Sequence, residues 1–249
     1  MKVPYWAWAW VLIAAIASSA ARAEDFIVID SSAPDVPVGS ALASGAAIAV
    51  PDKDRVVLVG ASGRVVTLSG PFQGVPASAA AGPANNQVFA AVKSLVGGDR
   101  KDSSSVGVAR AADVKWRADI TKTLTDVTAI DASDGGEACL YDPAKAELIR
   151  KPWGGPGTVT LHALEGGASA PVQWPHSAAP LPWPATMPLA DGHSYAIELQ
   201  GQPVIVVTTI HLLRPDPGAS DIDRVAQMAE KGCTDQARLL LSLVAQTSK

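Results

Sequence analysis

Residues 180–213 read PLPWPATMPLADGHSYAIELQGQPVIVVTTIHLL, and this stretch decides the fold class. Residues 194–199 alternate Ser, Tyr, Ala, Ile, Glu and Leu, which sets Tyr195, Ile197 and Leu199 on one face of a strand. Asp191-Gly192 ahead of it is a turn signal, because glycine takes a positive φ without a Cβ clash. Gly201-Gln202-Pro203 then separates that strand from residues 204–213. A short glycine-containing loop between two strand-like runs reads as a hairpin. Residues 204–210 are nearly all β-branched, the pattern of a strand buried on both faces. Upstream, Trp183-Pro184 and Pro188 oppose helix and suit an extended edge segment.

The chain of 249 residues opens with a segment that reads as an export signal. Lys2 supplies the positive charge, residues 5–17 form an apolar core, and Ala21-Arg22-Ala23 is a small-x-small cleavage site. Cleavage there would leave Glu24 as the first residue; a retained anchor is the alternative, since the apolar run approaches membrane-spanning length. No later segment is long and apolar enough to span a bilayer. The expected location is therefore the periplasm, with no membrane span after cleavage. The net charge is −4 and lysine and arginine are not clustered, which argues against nucleic acid and anionic membrane surfaces as partners. The two cysteines, Cys139 and Cys233, are expected to form a disulfide in an exported chain, with two buried thiols as the alternative.

Residues 25–72 read as a block of short strands. Residues 25–30, DFIVID, are the first, and residues 38–50 are a strand–turn–strand about Gly45. Residues 55–59 and 64–68 form a hairpin across Gly60-Ala61-Ser62-Gly63. The order V-G-x-x-L-x-x-G-x-x-I-x-V-P from Val38, followed by R-V-V-L-V-x-x-S-G-R-V-V-T-L-S-G-P-F to Phe72, resembles the FecR-type β module of bacterial envelope proteins. The resemblance implies a small β fold and an envelope compartment for residues 24–74. It implies no catalytic residue. Signal transmission through the inner membrane, which FecR-type proteins perform, does not carry over, because this chain lacks the internal span.

Residues 75–125 read as a linker holding one short helix. Asn85 or Asn86 is its N-cap, and Val88, Ala91, Val92 and Leu95 share a face. Strands are then expected at 126–130, 137–141, 147–150 and 158–164, with tight turns at Asp134-Gly135-Gly136 and Asp142-Pro143. Together with 180–213 these give six or seven strands at sandwich spacing, an immunoglobulin-like β-sandwich over 126–213. Residues 214–249 complete the chain with a single helix of about 25 residues, its apolar stripe running from Ile222 through Cys233 to Val244. The fold class is thus mainly β: a hairpin module, a sandwich and a C-terminal helix. Residues 24–74 and 126–213 are expected to be separable units.

No stretch carries a catalytic signature. Ser62 lacks the glycine two residues on that a nucleophile elbow needs, since Arg64 stands there. His162, His176, His193 and His211 show no helical ligand spacing, though His162 and His211 fall in strands that could face each other. Asp30, Asp131 and Asp134 are scattered and make neither a glycosidase pair nor a calcium loop. Trp116, Trp153, Trp174 and Trp183 are either core fillers or an aromatic platform; Trp153, Trp174 and Trp183 are the candidate ligand surface. No cofactor is implied. The expected function is a non-enzymatic exported protein that binds an envelope protein or glycan. The alternative is an envelope hydrolase whose catalytic residues are dispersed along the chain.

Overall fold

The structure is a computed structural model that describes residues 25–77, 85–97, 126–150, 157–175, 180–214 and 216–248. The expected leader at 1–23, Trp116, Trp153, His176 and much of the 75–125 linker lie outside these residues. The described chain is mainly β, in several sheets, with three helices of which two are near the C-terminus.

The N-terminal block is built on β1 (Phe26–Ser31) and β4 (Arg55–Gly60), paired antiparallel. β2 (Ala41–Leu42) and β5 (Val65–Ser69) flank them, in the order β2-β1-β4-β5. Both central strands are apolar at every alternate position on either side, so both faces of the sheet are buried. Phe26, Val28, Val56 and Leu58 pack beneath β3 (Ile48–Val50) and its partner β6 (Phe72–Gly74). Residues 38–50 do not close on themselves as expected: β2 pairs with β1, and β3 with β6.

The second half forms a five-stranded sheet and a smaller one. In the larger, β8 (Gly136–Leu140), β10 (Gly157–Ala163), β11 (Ser169–Trp174), β13 (Ser194–Leu199) and β14 (Ile205–Leu212) run in the order β11-β10-β13-β14-β8. The smaller sheet is β12 (Leu181–Pro182), β9 (Glu147–Ile149) and β7 (Ala129–Asp131). Both contribute to one core that includes Ile130, Leu148, Trp174, Tyr195, Ile197 and Ile210. The expected immunoglobulin-like pattern is antiparallel. Here β14 runs parallel to β8, and β7 parallel to β9, because distant segments rather than hairpin neighbours complete each sheet.

The 194–212 hairpin forms as expected, but β14 is not buried on both faces. Its hairpin partner β13 is polar on alternate residues, and paired strands share faces. Val206, Thr208, Ile210 and Leu212 therefore turn inward, while Ile205 and Val207 stand exposed.

The single C-terminal helix is two. α2 (Asp221–Glu230) starts with a capping box between Ser220 and Asp223, and α3 (Thr234–Thr247) follows. Between them Gly232 has φ +82, Cys233 N–H donates to Met228 O at 2.9 Å, and Gly232 N–H donates to Ala229 O at 3.1 Å. This is a Schellman stop, which a glycine in the left-handed region makes easy. α2 and α3 join α1 (Asn86–Gly97) against the second face of the N-terminal sheet, covering Ile27, Ile29, Val57 and Val59. Cys139 of β8 and Cys233 meet at disulfide distance, Cα to Cα 5.9 Å, within this same core.

Candidate functional site

Of the candidate ligand surface, the two described tryptophans, Trp174 and Trp183, both pack against the second half. Trp174 is buried in the core of the second half, under the Arg150 guanidinium, 4.5 Å from its ring centroid. Trp183 is half-buried: its Nε1–H donates to Met187 O at 2.6 Å and its ring meets Tyr195 edge-on at 5.1 Å. Burial of a large apolar ring outweighs its display on a surface, and the indole N–H has a partner inside. Trp153 lies outside the described residues.

The described histidines do not converge. β13 lies between the strands of His162 and His211, so the two do not face each other. Each described histidine has a glutamate instead. His162 Nε2 lies 3.7 Å from Glu198 Oε2, His193 Nδ1 3.8 Å from Glu165 Oε2, and His211 Nε2 2.6 Å from Glu137 Oε2. Among the described residues no group of three or more His, Cys, Asp or Glu stands close enough to hold a metal ion. Asp30 pairs with Arg55 at 2.6 Å, a contact inside the N-terminal block.

What stands out is the outer face of the five-stranded sheet over β11, β10, β13 and β14; at β8 the same face carries Cys139, which the C-terminal helices cover. The registers of β11, β10, β13 and β14 align Ser169, His162, Ala196 and Val207 in one row across it. Pro171, Thr160, Glu198 and Ile205 form the next row. On the other side, Leu164 continues β10 through a bond from its N–H to Ser194 O, and Ser194 lies opposite Thr209. Ser194 and Thr209 link their hydroxyls at 3.1 Å. Leu164, Ile205 and Val207 are 56%, 57% and 47% exposed, and Val204 at the hairpin tip is 64% exposed. These are four of the six large apolar side chains that stand exposed among the described residues. The face carries no lysine or arginine and no Phe, Tyr or Trp. Depletion of cations with retained apolar area is what the centre of a protein interface shows.

Both edges of this sheet are interrupted against further strands. At the β11 edge, Ala163 N–H donates to Ala168 O at 2.9 Å, which fixes the alternation. Ala170, Val172 and Trp174 point their amides at β10, and Ser169 and Gln173 point outward. Pro171 sits between these two and has no N–H to offer. At the β8 edge the Gln236 amide takes the place of a strand. It accepts from Cys139 N–H at 2.7 Å and donates to Cys139 O at 3.0 Å, to Val127 O at 2.7 Å and to Ala129 O at 3.3 Å.

Leu164, Ile205 and Val207 were not among the residues singled out from the sequence. A signal for two of them was present in β13. Its positions Ser194 and Glu198, with the small Ala196 between them, mark an open face, and the hairpin register imposes the same face on Ile205 and Val207. Comparison with protein-family models, curated proteins and solved structures finds no match for the chain.

Proposed function

We propose that the chain is an exported, non-enzymatic binding protein of the bacterial envelope, and that it holds a protein partner on the open face of its five-stranded sheet. The observation that carries this reading is the cluster of Leu164, Ile205 and Val207 on a face without lysine or arginine, in a sheet whose two edges are interrupted. Exposed apolar area of this kind costs solubility unless something covers it. A protein surface fits better than a glycan, because glycan recognition favours stacked rings and both described tryptophans face inward. Export is supported by the leader-like N-terminus and by two cysteines at disulfide distance, a pairing that persists in oxidising compartments. The likeness of residues 38–72 to FecR-type modules points to the same compartment.

The test is site-specific photo-crosslinking in whole cells, with a photoreactive residue at position 207 and a control at Val75, which is equally exposed but lies in the N-terminal half. A discrete adduct from position 207 and none from position 75 is expected. Equal or absent adducts at both positions would remove the reading. N-terminal sequencing of the same material should begin at Glu24.

A further inference from the structure

We propose that the partner on the open sheet face is a second copy of this chain, stacked face to face about a twofold axis; this rests on the binding role assigned to that face. Four features lead there.

The first is the interrupted edges. With Pro171 interrupting one edge and Gln236 occupying Cys139 on the other, extension of the ladder is disfavoured and a partner lying flat on the sheet is favoured.

The second is self-complementarity. A twofold axis lying in the interface, parallel to the strands and between β10 and β13, places β14 of one copy over β11 of the other and β13 over β10. Row by row, Val207 then lies over Ser169 of the other copy and Ile205 over Pro171 of the other copy. The bulky strand meets the strand with small or compact side chains, as interdigitating sheets require.

The third is charge. His162 and Glu198 are the ionisable side chains in the two central rows, and the same operation sets them over Ala196 and Thr160 of the other copy. Both residues flank the axis, so Glu198 also comes beside Glu198 of the other copy, and each carboxylate keeps the imidazole of its own chain 3.7 Å away. The absence of lysine and arginine on the face removes the repulsion that would oppose self-stacking.

The fourth is area. Four strands about 4.8 Å apart, with about four alternate side-chain positions along each, span a face of roughly 19 by 20 Å. Two such faces bury roughly 800 Å² in total as flat areas, a little under the roughly 1,000 Å² of a specific association, and so place the contact among weak ones. The dimer is accordingly expected to be reversible.

Sedimentation velocity on the purified chain over a concentration series tests this. Twice the single-chain mass should appear at micromolar concentrations, about what an interface of this size supports. Val207→Lys and Ile205→Glu, both at exposed positions, should each weaken association by about 30-fold or more, with unchanged circular dichroism. A mixture of Ser169→Cys and Val207→Cys variants should form a mixed crosslinked pair, and neither variant alone should crosslink as fast. Wild-type chain that keeps the single-chain mass up to about 100 µM overturns the dimer. So does a dimer indifferent to both substitutions. If the wild type stays single while Val207→Lys abolishes an adduct with another envelope protein, self-association is wrong and the binding reading stands. If the dimer forms on this face and cells show no adduct but the self-adduct, self-association stands and the separate envelope partner is removed.

Discussion

Gln236 is 3% exposed, and its amide makes four bonds to backbone groups of β8 and of the segment entering β7. It joins two sheets that share no strand. Gln236→Leu strands the Cys139 N–H and three carbonyls in a dry core, and each buried unpaired group costs about 1–3 kcal/mol. A loss of about 3 kcal/mol in urea unfolding is expected after partial relaxation. Gln236→Glu should cost more, because a carboxylate would then face three carbonyl oxygens; if it proves milder than leucine, the assigned bonds are wrong. The tyrosines supply a second check at this scale. Burial pushes the Tyr141 phenol up to about 12; the Arg224 guanidinium pulls it back and Asp221 adds to the rise. Tyr195 is raised in the same direction by burial, against the N–H donated by Ala190. Titration followed by tyrosinate absorbance should show both phenols ionising above their range in the unfolded chain, which centres near pH 10. The raised value favours the protonated form in the folded state. The stability it reflects is therefore complete below pH 10, and it is lost as pH climbs from 10 towards 12. Normal titration of both in the native protein would contradict the packing around them.

Gly232 sets the shape of the C-terminal elements. Read along the sequence, the apolar stripe continues on both sides of Gly232, which reads as an interruption that weakens the helix by about 1 kcal/mol, and a single helix is the natural expectation. The break is written in backbone conformation, which a pattern of apolar residues does not report. A Cβ at this position would also sit 3.2 Å from Glu137 Cγ, so the turn is pressed against β8. Gly232→Ala should cost about 1–2 kcal/mol through the left-handed φ alone. Gly97→Ala, with open space around it and no positive φ, should be neutral or slightly stabilising. Equal melting temperatures for the two variants would mean the turn is not as described. The other elements show the same division between local and distant information. The hairpins at 55–69 and 194–212 were legible because strand, turn and strand lie within one short window. The parallel pair of β8 and β14 was not, because its partners are some 70 residues apart and only tertiary packing brings them together. β11 was hidden by Pro171, which reads as a strand breaker and is tolerated because the strand is an edge. The open face was half legible: β13 displayed it, and the unbroken β-branched run of β14 concealed it.

At the scale of the whole molecule, the last described residue reaches the N-terminal sheet. Thr67 Oγ1 donates to Ser248 O at 2.9 Å, and Arg55 Nη1 reaches the same carbonyl at 3.4 Å. α2 and α3, contributed by the last residues, form much of the cover over Ile27, Ile29, Val57 and Val59. The segment read as a linker also returns α1 to that face. The division of the sequence into a module at 24–74 and a sandwich at 126–213 follows composition; the packing crosses it. Cys139 on β8 and Cys233 before α3 lie 94 residues apart and tie the helices to the five-stranded sheet, while the helices' apolar faces tie them to the first sheet. Four aliphatic side chains are at most 1% exposed on that face of the N-terminal sheet. Their burial against the helices contributes about 1.5–3 kcal/mol each as an upper estimate. Four of them together match the net stability of an ordinary domain. Residues 25–77 expressed alone should therefore stay unfolded, with collapsed amide dispersion in a nitrogen–proton spectrum and no cooperative melt. Adding residues 85–249 in trans should restore dispersion, because the missing cover is then supplied without the connecting chain. A cooperative melt from 25–77 alone would show that β3 and β6, which cover the opposite face, hold the sheet together without the helices.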